Sequence, residues 1–541
     1  MKYNIDVIEH TEEIMKDYQV NSLLAKVIES KDMGIEEFLA FKNPRLVYHD
    51  FSQFSEAEPT LERIQEAIDH KEKICIYGDY DCDGILATTI LVQAFEELGI
   101  HVGYHIPNRF EDGYGLNVKR VEQMAEKGYS LIITVDNGIK AYEAVERAAD
   151  LGVDVIITDH HTFDEEELPE AFSIIHTKIS NDYPFKEICG GFVAYKLAAA
   201  LLGHQDKYLF SLAAITTVSD MMPLLDENRS LVRTGLQFMK ENKYPSLEML
   251  LGANQSYSTT SIGFIIAPKI NSFGRLPDMI NPNHLVKYFL KNAPRDLLVS
   301  LSSSASSINS KRQQMTNKQY AMALEEEHEK CLYYASQDVH EGIVGLIAGK
   351  YARDYERPSF VMHYDEESRL YKGSARGVEG FNIYKFFTNH EDLLEQYGGH
   401  AMAGGFRVNQ ENFAKLHSSL LEDIGDRDFE NVENVVPITF DDISIENIES
   451  LSMLEPFGMG NEAPVFSLEE APIEKIMTLS DGKHLKIELM GRNVKVSALY
   501  FSKGALYETL KEKKTISLVG TLDINEFRNM KNINLIIKDI L

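Results

Sequence analysis

Between residues 73 and 175, five short apolar runs (73–77, 101–106, 131–135, 153–158 and 172–175) alternate with segments of helical periodicity at 85–98, 118–127 and 141–149. Strands that alternate with helices about a dozen residues long form βαβ units around a parallel sheet. In an open sheet of this kind, ligands bind outside the carboxyl ends of the strands. The residues just past each apolar run therefore matter most.

Those residues are acidic. The first run opens KICIYGDYDCDGI, with Asp79, Asp81 and Asp83 at alternate positions and Gly84 after them. Three carboxylates this close repel one another unless a cation or solvent intervenes. A calcium-binding EF-hand loop fits the first half of the pattern, but its twelfth position needs a glutamate and here holds Ile90. The lead-in also reads as a strand rather than a helix, which excludes the EF-hand. A polar turn after a strand is the plain alternative.

The next strands carry the same signature. Asp136 ends one in IITVDNG, and Asp159, His160 and His161 end another in IITDHH. Asp220, in TTVSDMMPL, closes an apolar helical segment. Several carboxylates and two imidazoles converging on one edge would be unfavourable without cations. Oxygen ligands with one or two imidazoles suit Mn²⁺ or Mg²⁺, and the lack of thiolates argues against structural zinc. Two such ions about 4 Å apart activate water and stabilise in-line displacement at phosphorus. Phosphoester or phosphoanhydride hydrolysis is the chemistry expected.

Composition bounds the rest. A chain of 541 residues needs several domains, and its 44% apolar and 26% charged residues are those of an ordinary globular protein. The formal net charge of -30 excludes a protein that coats nucleic acid generally, but not an enzyme with a local basic groove. Bound divalent ions would offset part of that charge. Cys75, Cys82, Cys189 and Cys331 are scattered without a CxxC pair, which fits a reducing cytosol and a cytoplasmic location. No apolar run reaches membrane-span length, and the N-terminus has no signal-peptide core.

Residues 191–202 and 209–218 read as buried helices. The serine-rich run at 302–310 resembles a flexible linker by composition. The strong helix formers after it favour a long helix joining two domains, whose Lys311, Arg312 and Lys318 either line a groove or, as charge runs more often do, lie on a solvated face. A second α/β unit covers about 331 to 425. Short strands after 435 suggest a small β-barrel of the OB type.

The stretches DYDCDG, VDNG, DHH and SD resemble the metal motifs of the DHH phosphoesterase superfamily. Seven further stretches are similar to those of its bacterial members that act as exonucleases on single-stranded DNA: IPNRFEDGYGL (106–116), DENRSLVRTGL (226–236), IGFIIAPKINSFGRL (262–276), HEGIVGLIAGK (340–350), GSARG (373–377), GGHAMAGGF (398–406) and LEPFGMGNEAPVF (454–466). The resemblance runs from about residue 60 to the C-terminus. It implies an α/β fold with this layout: an N-terminal helical or irregular extension (1–60), a parallel-sheet DHH domain (61–305), a connecting helix (306–330), a smaller DHH-associated α/β domain (331–430) and an OB-fold nucleic-acid-binding domain (431–541).

The resemblance also implies roles, residue by residue. Asp136 would bridge two divalent cations, Mn²⁺ or Mg²⁺. Asp79 and Asp81 would complete one site, and Asp83, His160 and Asp220 the other. Asp159 would orient ligands from behind, and His161 would orient a ligand or the attacking water. His400 would contact the scissile phosphate from the second domain. Arg109, Arg275, Ser374 and Arg376 would hold phosphates and the 5′ end, while Tyr114 and Phe273 are candidates for base stacking or core packing.

The implied activity is 5′ to 3′ degradation of single-stranded DNA to 5′-mononucleotides in repair and recombination. The enzyme would be a monomer, with a single-strand-binding protein and a helicase as candidate partners and no membrane association. The alternatives are another phosphohydrolase of the superfamily, acting on oligonucleotides, cyclic dinucleotides or polyphosphate, or a non-catalytic replication scaffold. Two segments depart from the family pattern; neither is expected to touch a metal motif, but both bear on the loop's substrate contacts. His176-Thr177-Lys178 stands where Asn-Pro-Lys is usual, and CGGFVAYKL is slightly altered. The chain also ends at the β-barrel, without the extra C-terminal domain of longer relatives.

Overall fold

The computed structural model describes the chain apart from Met1, Tyr114, Glu165, Glu166, Glu326, Glu327, Glu329, Arg528 and Asn529, and apart from the side chains of Lys2 and Phe527. The chain divides into two compact units, residues 47–430 and residues 1–46 with 431–541.

The larger unit holds two sheets. The first consists of β1 (Lys73–Tyr77), β2 (Gly103–His105), β3 (Tyr129–Val135), β4 (Asp154–Thr158) and β5 (Ser173–Ile175), all parallel, in the order β2-β1-β3-β4-β5. Its alternate residues feed two cores. Ile74, Ile76, Ile133 and Ile156 pack with α1 (Cys82–Glu97), α4 (Gly190–Leu202) and α5 (Lys207–Ser219). Cys75, Tyr77, Ile132 and Ile157 pack with α2 (Val118–Glu126) and α3 (Tyr142–Asp150). Helices on both faces explain why these strands read as unbroken apolar runs rather than alternating ones. Helix α1 is buried from Cys82 to Phe95 because helices pack over it as well.

Beyond α6 (Asp226–Asn242) and α7 (Ala267–Arg275), helix α8 (Arg295–Ala323) runs for 29 residues. It begins before the segment expected at 306–330 and takes in the serine-rich run. Leu298, Leu301, Ala305 and Asn309 are buried at three- and four-residue spacing, so one apolar stripe overrides the linker-like composition. The second sheet follows, with β6 (Leu332–Ser336), α9 (Val344–Tyr355), β7 (Ser359–Asp365), β8 (Leu370–Arg376), β9 (Gln396–His400) and β10 (Ala403–Asn409). Its order is β9-β10-β8-β7-β6, parallel between β6 and β7 and antiparallel elsewhere.

In the smaller unit, strands Phe466–Leu479, His484–Met490, Lys495–Tyr500, Met530–Ile540 and Thr515–Phe527 pair in succession, and the last pairs back to the first. Residues 1–46, expected to lie within a separate extension, are part of this unit. Lys2–Ile5 pairs in parallel with Val432–Ile438, and Leu23, Leu24, Val27 and Phe38 share a core with Leu454, Phe466 and Ile487. Among the described residues, no helix is long and apolar enough to cross a membrane.

Candidate metal centre and phosphate cleft

The site grows from the carboxyl ends of β1, β3 and β4. Asp79 follows β1 by two residues. Asp81 caps α1, its Oδ1 accepting the Gly84 amide at 3.0 Å, and Asp83 lies in the first turn of that helix. The alternation of Asp79, Asp81 and Asp83 does not continue the strand, which ends at Tyr77. It belongs instead to a helix start, where the chain turns sharply. Gly84 is needed there, since a Cβ would lie 2.5 Å from the Asp79 nitrogen.

The Asp83 carboxylate accepts two amides at the start of α4, Gly190 at 2.8 Å and Gly191 at 2.7 Å. A Cβ on Gly190 would come within 2.5 Å of the Asp136 Cβ. The altered CGG stretch, expected to touch no metal motif, therefore does touch them, through its backbone. Asp136 has φ 62°, in the left-handed region that Asp tolerates better than most residues, and its amide bonds the Thr158 carbonyl of the adjacent strand.

Candidate ligand atoms gather in overlapping sets, each within 4.8 Å: Asp79, Asp81 and Asp136; Asp83, His160 and Asp220; and Asp136, His160 and His161. His160 Nε2 lies 3.1 Å from Asp136 Oδ1, 3.5 Å from Asp220 Oδ2 and 3.8 Å from Asp83 Oδ2. Asp79 Oδ1 and Asp220 Oδ2 are buried with no hydrogen-bond partner. Burial and the neighbouring Asp81 push Asp79 up to about 8 and Asp83 to about 6. Burial and Asp83 raise Asp136 and Asp220 well above the carboxylate range. Burial and the charge of His161 lower His160 to about 3, which leaves it neutral and able to ligate. Orphaned, mutually repelling oxygens beside a neutral imidazole suit two hard divalent cations. One would lie among Asp79, Asp81 and Asp136, the other among Asp83, His160 and Asp220.

Asp159 faces the chain rather than these oxygens. It accepts the amides of Ile139, His160 and His161 and bonds His161 Nδ1 at 2.8 Å. Burial opposes a charge on His161, but Asp159 outweighs it and raises the imidazole to about 9.

A cleft of about 700 Å³ opens beside the cluster, lined by Asp159 and His161, by Arg109 and Arg275, and by Ser374, Arg376 and His400. Arg109 stacks on Tyr80 at 4.6 Å, and Arg376 Nη1 donates to Ser374 Oγ at 2.7 Å. Burial lowers Arg275 to about 9, helped by the charges of Arg109, Arg312 and Arg376. Among the described residues, none of these four guanidiniums has a carboxylate in ion-pair range. Arg312, for which a solvated face was the commoner expectation, is lowered by burial too and joins this group. His400 ends β9, and its Nδ1 lies 3.2 Å from Thr162 Oγ1, next to the His161 position. Phe273 is fully buried and packs the core, so base stacking falls away. Tyr114 lies outside the described residues.

Three domain families match in series: the DHH family N-terminal domain over residues 73–218, the DHHA1 domain over 328–425 and the RecJ OB domain over 436–539. The chain thus carries a DHH, a DHHA1 and a RecJ OB domain in that order. A RecJ of Bacillus subtilis, a single-stranded-DNA-specific exonuclease by name, is 35% identical over 508 residues, which span 91% of this chain and 64% of that protein. A RecJ of Haemophilus influenzae with the same name is 29% identical, over 89% of each chain. A crystal structure of RecJ from Thermus thermophilus in complex with Mn²⁺ shares the fold, with a TM-score of 0.84 at 24% identity over 100% of this chain and 79% of that one. A second RecJ structure, bound to manganese, aligns with a TM-score of 0.60 at 27% identity over 70% of this chain and 96% of that one.

Proposed function

We propose that this chain is an exonuclease that uses two divalent cations, Mn²⁺ or Mg²⁺, to degrade single-stranded DNA from the 5′ end to 5′-mononucleotides. The observation that carries this reading is one cleft with two opposite demands. Beside it lie the buried, unpartnered oxygens of Asp79 and Asp220, and in its lining Arg109, Arg275 and Arg376 have, among the described residues, no carboxylate in ion-pair range. A phosphate chain with bound cations satisfies both at once. The names of the RecJ relatives agree with this substrate.

The cations, held by Asp79, Asp81, Asp83, Asp136, His160 and Asp220, would supply a nucleophile at neutral pH and charge neutralisation. The chain's own residues supply the rest. Asp159 holds the turn that presents His160 and His161. His161, whose Nδ1 is held by Asp159 at 2.8 Å, presents its other ring nitrogen to a substrate oxygen or the attacking water. Arg109, Arg275 and Arg376, which line the cleft, anchor the terminal phosphate, and Arg312 adds its charge beside Arg275. Backbone contacts rather than base edges give little sequence preference, and added salt weakens binding. In the cell the enzyme would work in the cytoplasm on strands supplied by a helicase or bound by a single-strand-binding protein, and the OB unit would hold the trailing strand.

The test offers 5′-labelled single strands, matched blunt duplex and pyrophosphate to the protein with Mn²⁺ or Mg²⁺. Release of labelled mononucleotide from single strands, abolished in Asp136→Ala, is the expected result. Equal attack on duplex, or activity confined to pyrophosphate, contradicts the proposal.

A further inference from the structure

The imidazole of His176 follows β5 and is fully buried. Its Nδ1 accepts the Lys178 amide at 3.1 Å, so its Nε2 carries the hydrogen and donates it to the His161 carbonyl at 2.9 Å. Phe163 packs against the ring edge-on, with centroids 4.9 Å apart. Both ring nitrogens are thus spent on backbone, one on each of two turns. The turn that His176 holds is the one that carries His160 and His161. Asp159 Oδ1 grips the same turn from its amide side, at 2.7 Å from His160 N and 3.1 Å from His161 N.

We propose that His176 is a positioning residue: it braces the His161 carbonyl against the Lys178 turn, and so sets how tightly the adjoining ligand set holds its cation. The inference rests on the two-cation reading of the site. It extends that reading to a residue that touches neither metal nor substrate. A turn clamped on both sides delivers His160 Nε2 to a fixed place 3.1 Å from Asp136. Released on the carbonyl side, the turn can rotate about its amides, and the imidazole is no longer held ready.

Three variants separate bracing from packing. The terminal nitrogen of Gln can reach the place of Nε2 and keep the His161 bond. Asn reaches only the place of Nδ1 and keeps the Lys178 bond, and Phe keeps volume alone. Mn²⁺ titration calorimetry without DNA, melting curves, and kcat and KM on single strands give the readouts. The expected result is that His176→Asn and His176→Phe bind Mn²⁺ about 10–100-fold more weakly while His176→Gln stays within about threefold of wild type. A His176→Phe protein with wild-type Mn²⁺ affinity, or a His176→Gln protein as weak as His176→Phe, overturns the brace. If Phe prevents folding, the contrast between Gln and Asn still decides. A wild type that binds Mn²⁺ yet leaves single strands uncut contradicts the nuclease reading alone, and the same affinities still test the brace.

Discussion

Asp136 holds its left-handed backbone, φ 62°, with the Thr158 carbonyl on one side and the Gly190 backbone pressed against its side chain on the other. Gly190→Ala would put a methyl where nothing fits. We expect Mn²⁺ affinity and nuclease activity to fall at least about 10-fold, with a stability loss of about 1–3 kcal/mol from overpacking; unchanged Mn²⁺ calorimetry would contradict the close packing. The acids also predict a pH dependence. Asp79 at about 8 and Asp83 at about 6 bind protons more tightly than in the unfolded chain, where aspartate titrates near about 4. Their share of the metal-free protein's stability is therefore lost as pH rises from about 4 to about 8. Because Mn²⁺ relieves that repulsion, it should raise the melting temperature more at pH 8 than at pH 5.5; an equal rise at both would count against the assigned ligands. The aspartates and histidines of this site were legible in the sequence because they follow several strands of one sheet together, which isolated polar turns would not produce. Gly190, Gly191 and His176 were not, since they act through backbone amides and carbonyls that no side-chain pattern reveals. Of the two places open to Arg312, a groove or a solvated face, the burial of its guanidinium favours the first, which composition alone does not decide.

At the scale of elements, β1, β3, β4 and β5 were legible because strands buried on both faces leave apolar runs. The serine-rich stretch misled by composition, since serine is compatible with a helix whose other face is apolar. Lys2–Ile5 could not be read, because its pairing partner begins at Val432. Helix α4, whose first amides hold Asp83, is fixed by an ion pair that the motifs concealed. Lys196 and Glu227 of α6 are fully buried 2.7 Å apart, with Tyr183 bonded to the same carboxylate and the Tyr48 and Phe192 rings about the ammonium. Burial lowers the Lys196 pKa to about 8 against the pull of Glu227. Removing one partner strands a buried charge, so Lys196→Met should cost about 3–5 kcal/mol in denaturant unfolding. The double variant Lys196→Met, Glu227→Leu should recover part of it. A single variant as stable as wild type would show that α4 is held by packing alone.

Over the whole molecule, an acidic chain of net charge -30 keeps its arginines Arg109, Arg275, Arg312 and Arg376 together beside its aspartate cluster. The division of labour follows from that placement. On the proposed reading one set of residues holds the cations and the other the phosphate, and the βαβ topology brings the first set to a single sheet edge. The central claim is that this edge holds two cations with Asp136 between them. Anomalous diffraction at the manganese edge from crystals grown with Mn²⁺ tests it most directly. The account predicts two peaks about 4 Å apart, one among Asp79, Asp81 and Asp136 and one among Asp83, His160 and Asp220, both lost in Asp136→Ala. A single peak, or peaks away from these residues, would contradict it.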